Sequence, residues 1–158
     1  KDYSDVPNLW IKDKYGKIRK NPPAPLTNLD TLPVMDFEIF EENRIYRPMA
    51  GKVYRMIPIE THRGCPFTCT YCNSPAQVSL HKEENIGNYF RRRKISRIKE
   101  ELSALVERWN AEYIYFPADT FLAWKNDEFE EVINMYEEFK LPFWMQTRPE
   151  TITEDKIS

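Results

Sequence analysis

The stretch that decides the fold is Val53-Tyr54-Arg55-Met56-Ile57-Pro58-Ile59-Glu60-Thr61-His62-Arg63-Gly64-Cys65-Pro66-Phe67-Thr68-Cys69-Thr70-Tyr71-Cys72. Tyr54, Met56, Ile57 and Ile59 make its first half short and apolar, which predicts a strand running straight into a functional loop. Pro58 has no N–H to give to a ladder and belongs at an edge or a bulge. The second half sets Cys65, Cys69 and Cys72 at C-x3-C-x2-C spacing, so that three thiolates can converge on one polynuclear centre from a compact loop. The chain has three cysteines, an odd number crowded into one loop, which is the wrong arithmetic for a disulfide framework and points to metal or redox chemistry. Structural zinc wants four ligands and there is no fourth cysteine, but His62 or His81 could supply one, so the spacing alone leaves zinc open. A cluster held by three cysteines instead leaves one iron open to a small molecule.

Downstream, a long polar connection leads to Ser96, a suitable N-cap for a helix with Ile98, Leu102, Leu105, Val106 and Trp109 on one face. Tyr113-Ile114-Tyr115-Phe116 reads as a buried strand stopped by Pro117, and 119–124 as a loop. A second helix opens at Asp127, with Glu130 reaching back as in a capping box and Phe129, Val132, Ile133, Tyr136 and Phe139 inward. Phe143 to Thr147 forms a third strand, and Thr151 or Thr153 starts another helix. Strand, helix, strand, helix, strand predicts an α/β fold with a parallel sheet, right-handed crossovers and about three β/α units. Ligands gather at the carboxyl ends of such strands. The Cys loop, the Pro117 to Phe121 loop and the Arg148-Pro149 loop should therefore face one site.

Upstream, residues 1–52 form an irregular, Pro-rich linker with Pro22, Pro23 and Pro25 close together. Leu9-Trp10, Leu26, Leu29, Leu32, Phe37 and Ile39-Phe40 are apolar anchors that suit a segment lying on a surface. The chain starts at Lys1 rather than a methionine and ends at Ser158 as a helix opens, which suggests a stretch of something longer. A formal charge of -2 and a pI near 5.8 argue against a broad nucleic-acid footprint. The one basic run, Arg91-Arg92-Arg93-Lys94, reads as a solvated loop, a cofactor-facing segment or a phosphate or RNA contact. No apolar run reaches the roughly 18 to 20 residues of a membrane span and no signal pattern opens the chain, so the expectation is a soluble, cytoplasmic protein.

C-x3-C-x2-C with an aromatic just before the last cysteine resembles the signature of the radical S-adenosylmethionine (SAM) superfamily. The run Ile59-Glu60-Thr61-His62-Arg63-Gly64-Cys65-Pro66 is similar to the entry of those radical enzymes that carry an upstream cobalamin-binding domain. So are Val6-Pro7-Asn8-Leu9-Trp10, the charged hairpin after it, and Leu29-Asp30-Thr31-Leu32-Pro33. The resemblance implies a partial (β/α) barrel over 53–158, truncated, with 1–52 as the linker that follows a cobalamin domain not in this chain. It implies that Cys65, Cys69 and Cys72 hold a 4Fe-4S cluster whose open iron takes SAM, and that one electron cleaves SAM to a 5′-deoxyadenosyl radical. It places Tyr71 near the adenine, Asp119 near the cofactor's amino group, and Gln146 and Arg148 facing cofactor or substrate. On these residues alone, Asp119 also suits a turn and Arg148 a surface position before Pro149.

The same resemblance implies methyl transfer or related radical chemistry on a small-molecule substrate. Flavodoxin or ferredoxin would be the electron donor, and cobalamin would be bound outside this chain. Two departures stand out: Ala118 occupies the place of a first acidic residue, and the Asp-x-His-x-x-Gly cobalamin signature is absent. The competing readings are a radical SAM tRNA methylthiotransferase, which has three further cysteines in an upstream domain, and a non-catalytic zinc or electron-transfer module.

Overall fold

The computed structural model describes residues 2–157. In chain order it contains β1 (Trp10–Lys12), β2 (Ile18–Lys20), β3 (Tyr46–Met49), β4 (Lys52–Pro58), β5 (His62–Arg63), α1 (Ser74–Glu83) and β6 (Arg91–Arg92). Then follow α2 (Ile95–Trp109), β7 (Tyr113–Phe116), α3 (Asn126–Tyr136), β8 (Phe143–Met145) and α4 (Glu154–Ile157). The chain divides into two compact units, one made of the segment up to Thr27 with Phe67–Tyr89, the other of Asn28–Pro66 with the chain from Phe90 onward. Among the described residues no helix is long and apolar enough to cross a membrane.

The larger unit is built on a four-stranded sheet in the order β3-β4-β7-β8. The pairs β4/β7 and β7/β8 are parallel, and β3 joins β4 antiparallel through a tight turn at Ala50-Gly51, both at positive φ as a two-residue hairpin requires. The sheet thus begins in the stretch before Val53. Pro58 pairs with Tyr115 at the last position of β4, and Ile59 N–H donates to the Tyr115 carbonyl (2.8 Å). Alternation turns the Pro58 nitrogen to the other side of the strand, beyond the end of the β3 ladder, where the missing N–H removes no bond.

β7 carries the two-sided burial that its sequence predicts. Ile114 and Phe116 are sealed in the core, while Tyr113 and Tyr115 stack on the opposite face against Tyr54 and Trp144, each with ring centroids 5.1 Å apart. Ile98, Leu102 and Leu105 of α2 are fully buried against the core that includes Ile57, Ile59 and Ile114, and Phe129, Val132 and Met135 of α3 complete it. Asn110 ends α2 in the left-handed region at φ 48°.

Several boundaries differ from the sequence expectation. Helix α2 starts at Ile95, with Ser96 exposed in its first turn; the cap comes from a distant residue, Asp30, whose Oδ1 accepts the Lys94 N–H (2.8 Å). Helix α3 starts at Asn126, and Glu128 rather than Glu130 reaches back, accepting the Lys125 N–H (3.2 Å). Ile133 is exposed and Met135 takes the inward position. β8 ends at Met145, before Gln146 and Thr147. After a turn at Pro149–Thr151, α4 opens behind Thr153, whose carbonyl accepts the Lys156 N–H; the expectation attached to Ser158 lies outside the described residues.

In the smaller unit, β1 and β2 form the charged hairpin. Asn21 Nδ2 fastens it by donating to the carbonyls of Tyr3 (2.7 Å) and Val6 (2.8 Å). The polar connection after the cysteines is a helix, α1, opened by Pro75 in its first turn, where a missing N–H costs nothing.

At the centre of the larger unit Arg93 and Glu101 form a buried ion pair, each side chain 3% exposed. Arg93 also donates to the Glu60 carbonyl (3.0 Å), and Glu101 Oε1 accepts the Met35 N–H (3.1 Å). Removing one partner strands a buried charge. Glu101→Ala is expected to destabilise the fold by about 3–5 kcal/mol, whereas Lys99→Ala, which breaks the exposed Lys99–Glu138 pair, should cost at most about 1 kcal/mol; urea unfolding of both variants checks the contrast.

Candidate metal centre

Cys65 follows β5, a two-residue strand paired with β6 as His62 with Arg92 and Arg63 with Arg91. Gly64, at φ 78°, turns the chain from β5 into Cys65, and a side chain there would be strained. Cys65 is 7% exposed, and its sulfur lies 3.5 Å from the Thr120 hydroxyl in the loop after β7. In the smaller unit, Cys69 and Cys72 share a tight turn in which Cys72 N–H donates to the Cys69 carbonyl (3.1 Å). The Cys72 sulfur accepts the backbone N–H of Ser74 (3.4 Å) and its S–H donates to Ser74 Oγ (3.4 Å), at the first turn of α1.

None of the three cysteines is in a disulfide. Among the described residues no three His, Cys, Asp or Glu side chains lie close enough together to hold a metal ion. The donor chemistry nonetheless fits an iron-sulfur cluster: three reduced thiols on one loop, one sulfur already receiving a backbone N–H and another touching a buried hydroxyl. Such contacts to sulfur are those that tune cluster ligands.

Of the loops after the parallel strands, those after β4 and β7 share one cleft, while the loop after β8 bonds to the β7 loop without lining that cleft. A small polar cleft of about 210 Å³ is lined by Glu60, His62, Arg63, Gly64, Pro117 and Asp119. The loops after β7 and β8 are joined by Phe121 N–H to the Gln146 carbonyl (2.8 Å) and Leu122 N–H to Thr147 Oγ1 (3.3 Å). Asp119 is exposed at the cleft, and Gln146 is exposed at the end of β8. Arg148 is half-buried and holds Glu150 through Nε (3.2 Å) and Nη2 (2.7 Å), which pulls the Glu150 carboxyl down to about 2. Tyr71, in the smaller unit, is 91% exposed.

Arg92 and Arg93 of the basic run are turned inward, while Lys94 is exposed. Arg92 pairs with Glu128 and lies over the rings of Phe90 and Trp124, and Arg93 is the buried partner of Glu101. Among the groups that the sequence did not single out are Glu60, which binds Arg63 (2.7 Å), and Thr120, 1% exposed beside Cys65. The only sequence sign of Thr120 is a polar residue among Ala118, Phe121 and Leu122, all of them buried.

A family model described as the radical SAM superfamily matches residues 59–158, which covers the cysteine loop and the strands β7 and β8 of the parallel sheet. The chain belongs to the radical SAM superfamily. It is also 33% identical over 110 residues to a protein of Pyrococcus horikoshii named uncharacterized methyltransferase PH0819, a match covering 67% of this chain and 21% of that protein. The chain thus spans about a fifth of the length of that curated relative. No solved structure matches it.

Within this radical SAM domain His62 is a buried imidazole. It is 3% exposed, its Nδ1 lies 3.1 Å from Thr61 Oγ1, and its ring meets Phe90 and Trp124 edge-on. Burial first, then the charge of Arg92, push it down to about 4; the Thr120 backbone and Glu60 offset part of this. The neutral ring is therefore the folded form at pH 7. Because the folded value lies below the ordinary 6.5, the unfolded chain binds the proton more readily, and this contribution to stability, full above 6.5, is lost as pH falls toward 4. A His62→Phe variant, which keeps the edge contacts, should lose on the order of 2–3 kcal/mol less stability than the parent between pH 7 and pH 4, as read by urea unfolding at the two pH values.

Proposed function

We propose that this chain is the cluster-bearing portion of a cobalamin-associated radical SAM enzyme that carries out methyl transfer or a closely related radical reaction. The observation that carries the reading is the C-x3-C-x2-C loop after β5, which lies with β7 and β8 inside the span that the superfamily model matches. Cys65, Cys69 and Cys72 would hold a 4Fe-4S cluster, which supplies the electron that cleaves SAM reductively. The name of the Pyrococcus horikoshii relative supports methyl transfer. The segments resembling the lead-in from a cobalamin domain, Val6 to Trp10 and Leu29 to Pro33, support a cobalamin site elsewhere in the whole protein, with 1–52 as linker and 53–158 as part of a (β/α) barrel.

In this reading the chain's own residues bind and orient the cofactor. Asp119, at the polar cleft, offers its carboxylate to the ammonium group. Arg148 takes the cofactor carboxylate by exchanging it for Glu150, and since Glu150 is a solvent-exposed partner the exchange costs little. Gln146, whose carbonyl is held by Phe121, has its side chain at the same end of the sheet. Tyr71, exposed beside Cys72, suits a stacking contact with adenine. A flavodoxin or ferredoxin would deliver the electron, in cytoplasm poor in oxygen.

The test is anaerobic reconstitution with iron and sulfide. The chain should take up about four irons per molecule with the broad visible absorption of a cubane cluster, and Cys65→Ala and Cys72→Ala should each lose it. Unchanged cluster content in either variant would sink the reading.

A further inference from the structure

We infer that the hydroxyl of Thr120 donates a hydrogen bond to the ligating sulfur of Cys65 and so raises the reduction potential of the cluster. The inference rests on the cluster proposed above. Thr120 Oγ1 and Cys65 Sγ lie 3.5 Å apart, within the range for a hydrogen bond to sulfur, and the two residues are 1% and 7% exposed. Water therefore has little access to this sulfur.

The hydroxyl is held in place from both sides. Thr120 accepts the Ala123 N–H at its carbonyl (3.0 Å), and the two residues after it are bound to the β8 loop through Phe121 to Gln146 and Leu122 to Thr147. Thr120 Oγ1 also donates to the Asp119 carbonyl (2.8 Å). In the metal-free thiol the protons can run in one direction, S–H of Cys65 to Thr120 Oγ1 and O–H of Thr120 to the Asp119 carbonyl.

Iron binding reverses that order. A thiol that ligates iron gives its proton to solvent, and the thiolate can then only accept. The remaining proton of the pair is on Thr120 Oγ1, which is already within reach of the sulfur. Rotation of the hydroxyl toward the sulfur gives up its bond to the Asp119 carbonyl. Reduction by one electron increases negative charge on the cluster and its sulfurs. A donor aimed at sulfur therefore stabilises the reduced form more than the oxidised form. Thr120 is thus a positioning residue: it acts on the cluster through Cys65, and it links the cluster to the loop that carries Asp119.

The test compares the parent protein with Thr120→Val, Thr120→Ala and Thr120→Ser after anaerobic reconstitution, by titration with dithionite followed through the electron paramagnetic resonance of the reduced cluster. Thr120→Val and Thr120→Ala should keep the parent's iron and sulfide content yet reduce at a more negative potential with a changed spectrum. Thr120→Ser should return both to the parent values. A potential in the valine and alanine variants equal to the parent's, or a serine variant displaced as far as they are, overturns the inference while leaving the cluster assignment standing. A parent protein that assembles no 4Fe-4S cluster overturns the proposed function and this inference with it.

Discussion

The Arg93–Glu101 ion pair is the constraint on which the rest of the larger unit depends. Two full charges removed from water are tolerated only if their mutual attraction and added hydrogen bonds offset the lost hydration. The pair uses the Glu60 carbonyl on the cation and the Met35 N–H on the anion. It therefore fixes three separate pieces of chain at one point: the segment around Met35, the chain just after β4, and α2 with the residues leading into it. Arg93 adds a backbone bond to the Thr61 carbonyl (2.9 Å). The exit from β4 is held at two successive residues, and Cys65 follows a few positions later.

That anchoring explains why so short a ladder as β5/β6 can hold its geometry. A two-residue antiparallel pair is marginal in water, but here it is flanked by a buried ion pair on one side and by the aromatic enclosure of His62, Phe90 and Trp124 on the other. Arg92 closes the enclosure by lying over Phe90 and Trp124 while pairing with Glu128 of α3. Arg92 and Arg93, in what looks like a solvent-facing run, thus tie the cysteine-bearing edge to α3 and α2.

What the sequence made legible was periodic or covalently local. The alternation in Tyr113 to Phe116, the stripe of Ile98, Leu102 and Leu105, and the cysteine spacing each carry their signal within a few residues. What it hid depends on partners far away in the chain. The cap of α2 comes from Asp30, 64 residues distant, so a serine next to the helix start misleads. The inward turn of Arg92 and Arg93 depends on Glu128 and Glu101, which have no special spacing relative to them. Helix α1 escaped because Val78 and Leu80 stay exposed and Ser74 is its one buried residue, leaving no apolar stripe to read. The approach of the β4 and β7 loops follows from strand order, whereas the contact of Thr120 with Cys65 joins residues 55 apart with no local signal.

The parallel pairing of β4 with β7 has a consequence for the order of assembly. The hairpin of β3 and β4 closes through two turn residues, but β7 reaches β4 only after the chain between them, with its cysteines and two helices, has been looped out. Such closure loses chain entropy before its contacts form, and so it comes late. The contact of Thr120 with Cys65 spans 55 residues and exists only once that closure is complete. The surroundings of the Cys65 sulfur are therefore completed only on an already folded sheet, as the last part of the fold to take shape rather than a nucleus around which it gathers.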